Sequence, residues 1–210
     1  ESDVVRLLLA MVVGGVFAGI AGVIIGVPVL RLRGDYLAIA TLGFAEIIRI
    51  AVLNMDITNG AAGLTGIPKL TTWPLLFVLM VISVVIVTNF GRSRQGRACI
   101  SIREDEIASE AMGINTTRYK TTAFVIGAAL ASVAGALYAC NFYVIKPDLF
   151  TFNKSIDILV MVVFGGMGSI TGSVIAAVFI GILNTVLQSF ASLRMIIYGV
   201  VLVAIMIFRP

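Results

Sequence analysis

The chain has 210 residues, 60% of them hydrophobic and only 12% charged, with a net charge of +4 and a mean hydropathy of +1.09. A soluble domain runs at roughly a quarter charged residues, so this chain has too little charge to cover a water-soluble globule, and a bilayer is the solvent its composition fits. The basic residues sit in short loops between apolar runs, which points to membrane topology and not to nucleic acid. Two cysteines, Cys99 and Cys140, without a CxxC spacing argue against a disulfide framework. Without histidine or a Cys/His/Asp cluster, no metal site and no cofactor are expected.

A helix crossing the hydrocarbon core needs about 20 apolar residues. Leu7–Leu30 carries no charge and fits one crossing. Tyr36–Leu53 is apolar except for Glu46 and Arg49. Pro74–Phe90 is uncharged and opens on proline, which a helix start tolerates. Thr122–Ile145 is uncharged as well. Ile156–Phe190 is too long for one helix and is interrupted at Gly165-Gly166-Met167-Gly168-Ser169, which predicts two short crossings. Leu193–Phe208 is the last, before Arg209-Pro210. The fold class expected is an all-α, polytopic bundle of about seven spans forming one transmembrane domain over 1–210. The start at Glu1-Ser2-Asp3 is expected of a processed or truncated chain, and no cleavable signal peptide is visible.

With the N-terminus outside, the inner loops hold Arg31, Arg33, Arg92, Arg94, Arg97, Arg103, Arg118, Lys120 and Arg209. The outer loops hold Arg6, Lys69, Lys146, Lys154 and Arg194. That bias places the 91–121 loop and the C-terminus in the cytoplasm. Small residues recur four apart at Gly15/Gly19, Gly22/Gly26, Gly127/Ala131/Gly135, Gly168/Gly172 and Ala177/Gly181. In lipid such stripes let helix backbones approach closely, so they read as packing surfaces.

Three stretches carry polar information. The first is the 91–121 loop, where Ser101-Ile102-Arg103-Glu104 has the form of a capping box. Glu104, Asp105 and Glu106 would then lie in a first turn favoured by the helix dipole, and Gly113 is a suitable C′ residue. These signals predict one short helix over about 102–112. At 100° per residue, Ile107, Ala108, Ala111 and Met112 share one side of it, and Arg103, Asp105, Glu106 and Glu110 the other. A helix lying on the membrane surface and a docking helix for a soluble partner both fit this pattern. The acidic face disfavours anionic lipid and favours the docking helix.

The second stretch is the charged span. Glu46 and Arg49 are three apart and share a helix face. Charges at that depth normally face a bundle interior or an aqueous path, so a structural ion pair and a role in translocation both stand. The third is the glycine-rich loop 58–68, which includes Asn59 and reads either as a re-entrant element or as an ordinary outer loop.

These same residues carry a resemblance. Arg31 to Arg49 (RLRGDYLAIATLGFAEIIR), Thr58 to Pro68 (TNGAAGLTGIP), Arg103 to Asn115 (REDEIASEAMGIN), Phe164 to Gly172 (FGGMGSITG) and the closing Phe208-Arg209-Pro210 are similar to the membrane permeases of bacterial branched-chain amino acid ABC importers, the LivM type. The likeness runs in order over nearly the whole chain. It implies a bacterial inner-membrane permease working with a second, related permease, two cytoplasmic ATPases and a periplasmic or extracellular binding protein that delivers the amino acid. It also implies that Glu110-Ala111-Met112-Gly113 belongs to the motif that docks into an ATPase groove, with Arg103, Glu104, Glu106, Ile107 and Ala108 on the same helix. Relative to the family pattern the chain looks trimmed at both ends.

The expected function is therefore a permease subunit for leucine, isoleucine or valine. It is not an enzyme: no GxxxxGK[ST] stretch is present, so ATP is hydrolysed by a partner. Thr41, Glu46 and Arg49, with Asn59 of the glycine-rich loop, are the candidate path residues. Two rivals remain. One is a permease of the same architecture for urea, short amides or other amino acids. The other is an ion-coupled secondary transporter, which would suit broken spans and an intramembrane carboxylate but would call for an inverted repeat that the sequence does not display.

Overall fold

The computed structural model describes residues 2–32, 34–166 and 168–186. They form eight helices: α1 (Ser2–Val29), α2 (Asp35–Leu53), α3 (Trp73–Arg92), α4 (Arg94–Glu104), α5 (Glu106–Ala111), α6 (Thr116–Phe142), α7 (Phe152–Gly165) and α8 (Ile170–Val186). Four of these, α1, α2, α3 and α6, are long and apolar enough to cross a membrane. The two short crossings expected within 156–190 appear as α7 and α8, of 14 and 17 residues. The expected crossing at 193–208 lies outside the described residues, so four span-length helices stand against the seven spans expected.

The chain divides into two compact units, Glu1–Leu149 and Phe150–Pro210. In the first, α1 packs along α6. The contact is built by glycines of α1: a Cβ on Gly22 would meet Ala128 and Val125 at 3.5 Å, and one on Gly26 would meet Phe124 at 3.2 Å. Close backbone approach of this kind is how helices associate where lipid offers no hydrophobic drive. Gly127 and Gly135 also belong to a small-residue stripe, but a Cβ on either would meet no described atom within 4 Å. At these two positions α6 makes no close approach to a neighbouring helix of its own unit.

The small core lies at one end of the bundle, where Leu7 and Met11 of α1 meet Cys140 of α6 under Ile67, Leu70, Leu75 and Leu79. Away from it the spans expose their apolar side chains: Phe17 is 70% accessible, Ile39 67% and Phe77 62%. Water would penalise such a surface; a hydrocarbon solvent does not.

Several boundaries shift from the expected ones. α1 starts at Ser2 and so includes Asp3 and Arg6, which pair at 3.7 Å across one turn. α6 starts six residues earlier than expected because the Asn115 side chain accepts the Arg118 N–H at 3.0 Å, an N-cap that the uncharged run alone does not reveal. The 54–72 connection holds turns at Asp56–Thr58 and Gly60–Ala62, then a two-residue strand, β1 (Leu64–Thr65). β1 pairs antiparallel with β2 (Val144–Ile145), Leu64 opposite Ile145. Gly63, at φ +73°, passes so close that a Cβ would lie 2.1 Å from the Ile145 carbonyl oxygen, so only glycine fits this crossing.

In the second unit the chain breaks between α7 and α8, where Gly166 and Gly168 have φ of +90° and +98°. Gly165 and Gly172 bring the two helices together: a Cβ on Gly172 would stand 1.9 Å from the Gly165 carbonyl oxygen. Phe164 and Phe179 stack with centroids 5.7 Å apart.

Candidate functional site

Two regions of the first unit carry the polar residues singled out in the sequence. One is the charged turn of α2. Arg49 Nε donates to both Glu46 carboxylate oxygens at 3.1 and 3.0 Å, and its Nη2 donates to Oε1 at 2.5 Å. Its Nη1 donates to Asp148 Oδ1 at 3.3 Å, in the Pro147–Leu149 turn beyond α6. The guanidinium is thus held between two carboxylates, with its side chain 21% accessible against 49% for Glu46 and 65% for Asp148. The planar fork of arginine suits this double engagement. The cluster carries one negative charge in excess, and its carboxylates keep open faces.

Sequence reasoning found Glu46 and Arg49 and missed Asp148. The two partners of Arg49 lie three and ninety-nine residues away, and no local pattern reports the second. The other path candidates do not join the cluster. The Thr41 hydroxyl turns back to donate to the Leu37 and Ala38 carbonyls at 3.0 and 2.9 Å. Asn59 adopts a left-handed conformation and its amide reaches the Gly63 carbonyl at 3.5 Å. Asn59 holds the loop's shape there.

The other region is the 91–121 segment. A single helix over about 102–112 is corrected to two. Ser93 caps α4 by accepting the Gly96 N–H at 3.1 Å, eight residues before the expected start. The Ser101 hydroxyl donates to the Ala98 carbonyl at 2.9 Å and so caps nothing. Asp105, with φ −152° and ψ 109°, breaks the helix and caps α5 by accepting the Ala108 N–H at 2.9 Å. Ser93 wins because it comes first and the apolar Cys99 and Ile102 carry the helix onward; Ile102 is buried. Arg103 pairs with Glu104 at the end of α4.

α5 closes with Gly113 at C′, φ +82°. Its N–H donates to the Glu110 carbonyl at 2.9 Å, and the Ile114 N–H donates to the Ser109 carbonyl at 3.1 Å. Those are the two bonds of a Schellman end. The inner face of α5 is polar. Ser109 is buried and donates to the Ser101 hydroxyl at 3.3 Å, Glu106 pairs with Lys120 at 2.7 Å, and Glu110 accepts from the buried Thr116 hydroxyl at 3.0 Å. The outer face is apolar: Ile107 is 72% and Met112 82% accessible, with Ala108 and Ala111 exposed beside them. The acids turn inward onto α6, and an apolar ridge is presented outward. On α4, Cys99 donates to the Tyr119 carbonyl at 3.6 Å, and burial pushes its thiol pKa up.

The family model described as branched-chain amino acid transport system / permease component matches residues 2–208. The chain belongs to this permease family. It is 38% identical to the high-affinity branched-chain amino acid transport system permease protein LivM of Salmonella typhimurium, over 93% of this chain and 54% of that protein. Against the LivM protein of Escherichia coli K12 the identity is 37%, over 94% and 55%. The permease protein LivH of the same E. coli strain is 35% identical over 58% of this chain and 40% of its own length. The chain therefore spans about half the length of the LivM relatives it matches. No solved structure matches it. Its apolar helices fit a multi-pass membrane protein.

Proposed function

We propose that this chain forms part of a permease subunit in an ATP-driven importer of branched-chain amino acids, resident in a bacterial inner membrane. The relatives' substrate class supports the cargo, and the outward apolar ridge of α5 supports the drive. A ridge of Ile107, Ala108, Ala111 and Met112 on a short, firmly capped helix has the form of a knob for a hydrophobic groove. Glu106 is paired with Lys120 and Glu110 accepts from the Thr116 hydroxyl, so both acids are engaged on the side away from the ridge. The partner is one of two ATPase subunits, and a second permease related to the LivH type completes the pathway. A binding protein outside the membrane delivers the amino acid.

The mechanism follows from how the segment is joined. α5 is bonded to the base of α6 through Glu106–Lys120 and Glu110–Thr116, and α4 leads directly into α3. Closure of the ATPases pulls on α5, and α3 and α6 rock with it, exchanging access from one side to the other. The Glu46–Arg49–Asp148 cluster is the candidate point on the path, its excess negative charge suited to the ammonium of an amino acid.

The test uses the full-length permease, lacking Cys99 and Cys140, with a cysteine at Ala108 or Ala111 and the ATPase co-expressed. A crosslink whose yield changes with ATP is expected. Absence of any crosslink from positions 107 to 112 in an assembled complex would sink the docking role and favour an ion-coupled transporter. Uptake of labelled leucine, competed by urea and by other amino acids, reads the cargo. Glu46→Gln should impair uptake while the complex still assembles, and normal uptake would remove Glu46 from the path.

A further inference from the structure

Two cavities on the side of the bundle adjoin each other. The first, about 410 Å³, lies between α3 and α6 and is lined almost wholly by apolar side chains, among them Leu76, Met80, Leu130, Ala134 and Phe142. The second, about 400 Å³, sits at its end under Lys69, Thr71, Thr72, Trp73 and Asn141. Leu76 and Asn141 line both, so the apolar groove opens into the polar pocket.

The polar pocket has three properties that select its occupant. Thr71 is 6% accessible, and its hydroxyl has no hydrogen-bond partner among the described residues, an arrangement that is costly unless something fills it. Lys69 has no ion-pair partner among the described residues. Among the described residues no carboxylate lines either cavity. The polar pocket therefore offers an ammonium, hydroxyls and an amide to an anion, and nothing that would compensate the ammonium of an amino acid.

The groove supplies the rest. From Asn141 to Leu130 along α6 is about 16 Å at 1.5 Å per residue, close to one leaflet of a hydrocarbon core about 30 Å thick. Trp73, 87% accessible at the start of α3, stands where aromatic side chains mark the membrane–water boundary. We propose that the α3–α6 groove is a binding site for one anionic phospholipid, with its phosphate at Lys69 and Thr71 and an acyl chain laid between the two helices. The lipid acts as a wedge that fills the space between the helices.

The experiment measures phospholipid retained by the full-length permease complex after purification in mild detergent, by mass spectrometry. Lys69→Gln and Thr71→Val remove the phosphate contacts, Ala134→Trp fills the groove, and Arg6→Gln is the control. Phosphatidylglycerol per complex should fall about fivefold in Lys69→Gln, the scale of one lysine acting on anionic lipid. It should also fall in Thr71→Val and Ala134→Trp and stay unchanged in Arg6→Gln. If Ala134→Trp fails to assemble, the two polar variants still decide. Equal retention in Lys69→Gln, Thr71→Val and wild type overturns the proposal. So does displacement of the signal by inorganic phosphate alone, which would assign the pocket to a free anion. A photocrosslinker at Met80 that captures a polypeptide segment and no lipid overturns it as well, by making the groove the seat of another helix.

Discussion

Gly96→Ala tests how tightly the cytoplasmic segment is joined to the membrane helices. Gly96 is buried in the first turn of α4. A Cβ there would lie 2.0 Å from the Phe90 carbonyl oxygen and 2.7 Å from both Cα and O of Gly91, where ordinary contact begins at 3.4 Å. The obstacles are backbone atoms, so no side chain can swing away. Opening the missing space means moving the end of α3 against α4. That motion also strains the cap, because the Phe90 carbonyl accepts from Ser93 N at 3.0 Å while Ser93 Oγ accepts from Gly96 N. Overpacking costs about 1–3 kcal/mol and a lost N-cap about 1 kcal/mol, so the expected destabilisation is about 2–4 kcal/mol. The comparison is Gly91→Ala, whose Cβ meets nothing within 4 Å and which should be neutral or stabilising by up to ~1 kcal/mol. Denaturant unfolding of both variants in the same detergent reads the difference, with ATPase stimulation by substrate as a second readout. Equal stability of Gly96→Ala and Gly91→Ala would refute the close approach.

Asp105→Ala removes the α5 cap and should cost about 1 kcal/mol, seen as faster hydrogen exchange over 106–112 with the spans unchanged; Asp105→Asn should retain most of the protection. Cys99 tests the packing of α4 on α6. Only the thiolate reacts, and burial raises this thiol's pKa, so its alkylation should stay slow through the ordinary thiol range and climb only at higher pH. A cysteine placed at the exposed Ala108 should react at lower pH, and identical profiles for the two would contradict the partial burial of Cys99. Asp148→Ala should raise hydrogen exchange in the 144–149 segment by removing the acceptor of Arg49 Nη1, with α2 itself unaffected.

The parts of this protein legible in its sequence are those with local causes. An uncharged apolar run makes a helix wherever lipid is the solvent, so the four long spans are legible in place, while the starts of α1 and α6 lie five and six residues ahead of the expected ones. Gly113 and the Gly165–Ser169 break were readable because positive φ is cheap only for glycine. The 101–112 segment was misread because several capping signals follow one another and local pattern ranks them equally. Tertiary packing chose Ser93 and Asp105, burying Ile102 and Ser109 and turning Glu106 and Glu110 toward Lys120 and Thr116. The same holds for the glycine stripes: Gly22 and Gly26 meet α6, while Gly127 and Gly135 meet nothing described, although the spacing is alike. Arg49 shows the limit most directly. Its i,i+3 partner Glu46 follows from helix geometry, but Asp148 reaches it only because α6 returns the chain beside α2, and no periodicity records a contact between residues ninety-nine apart.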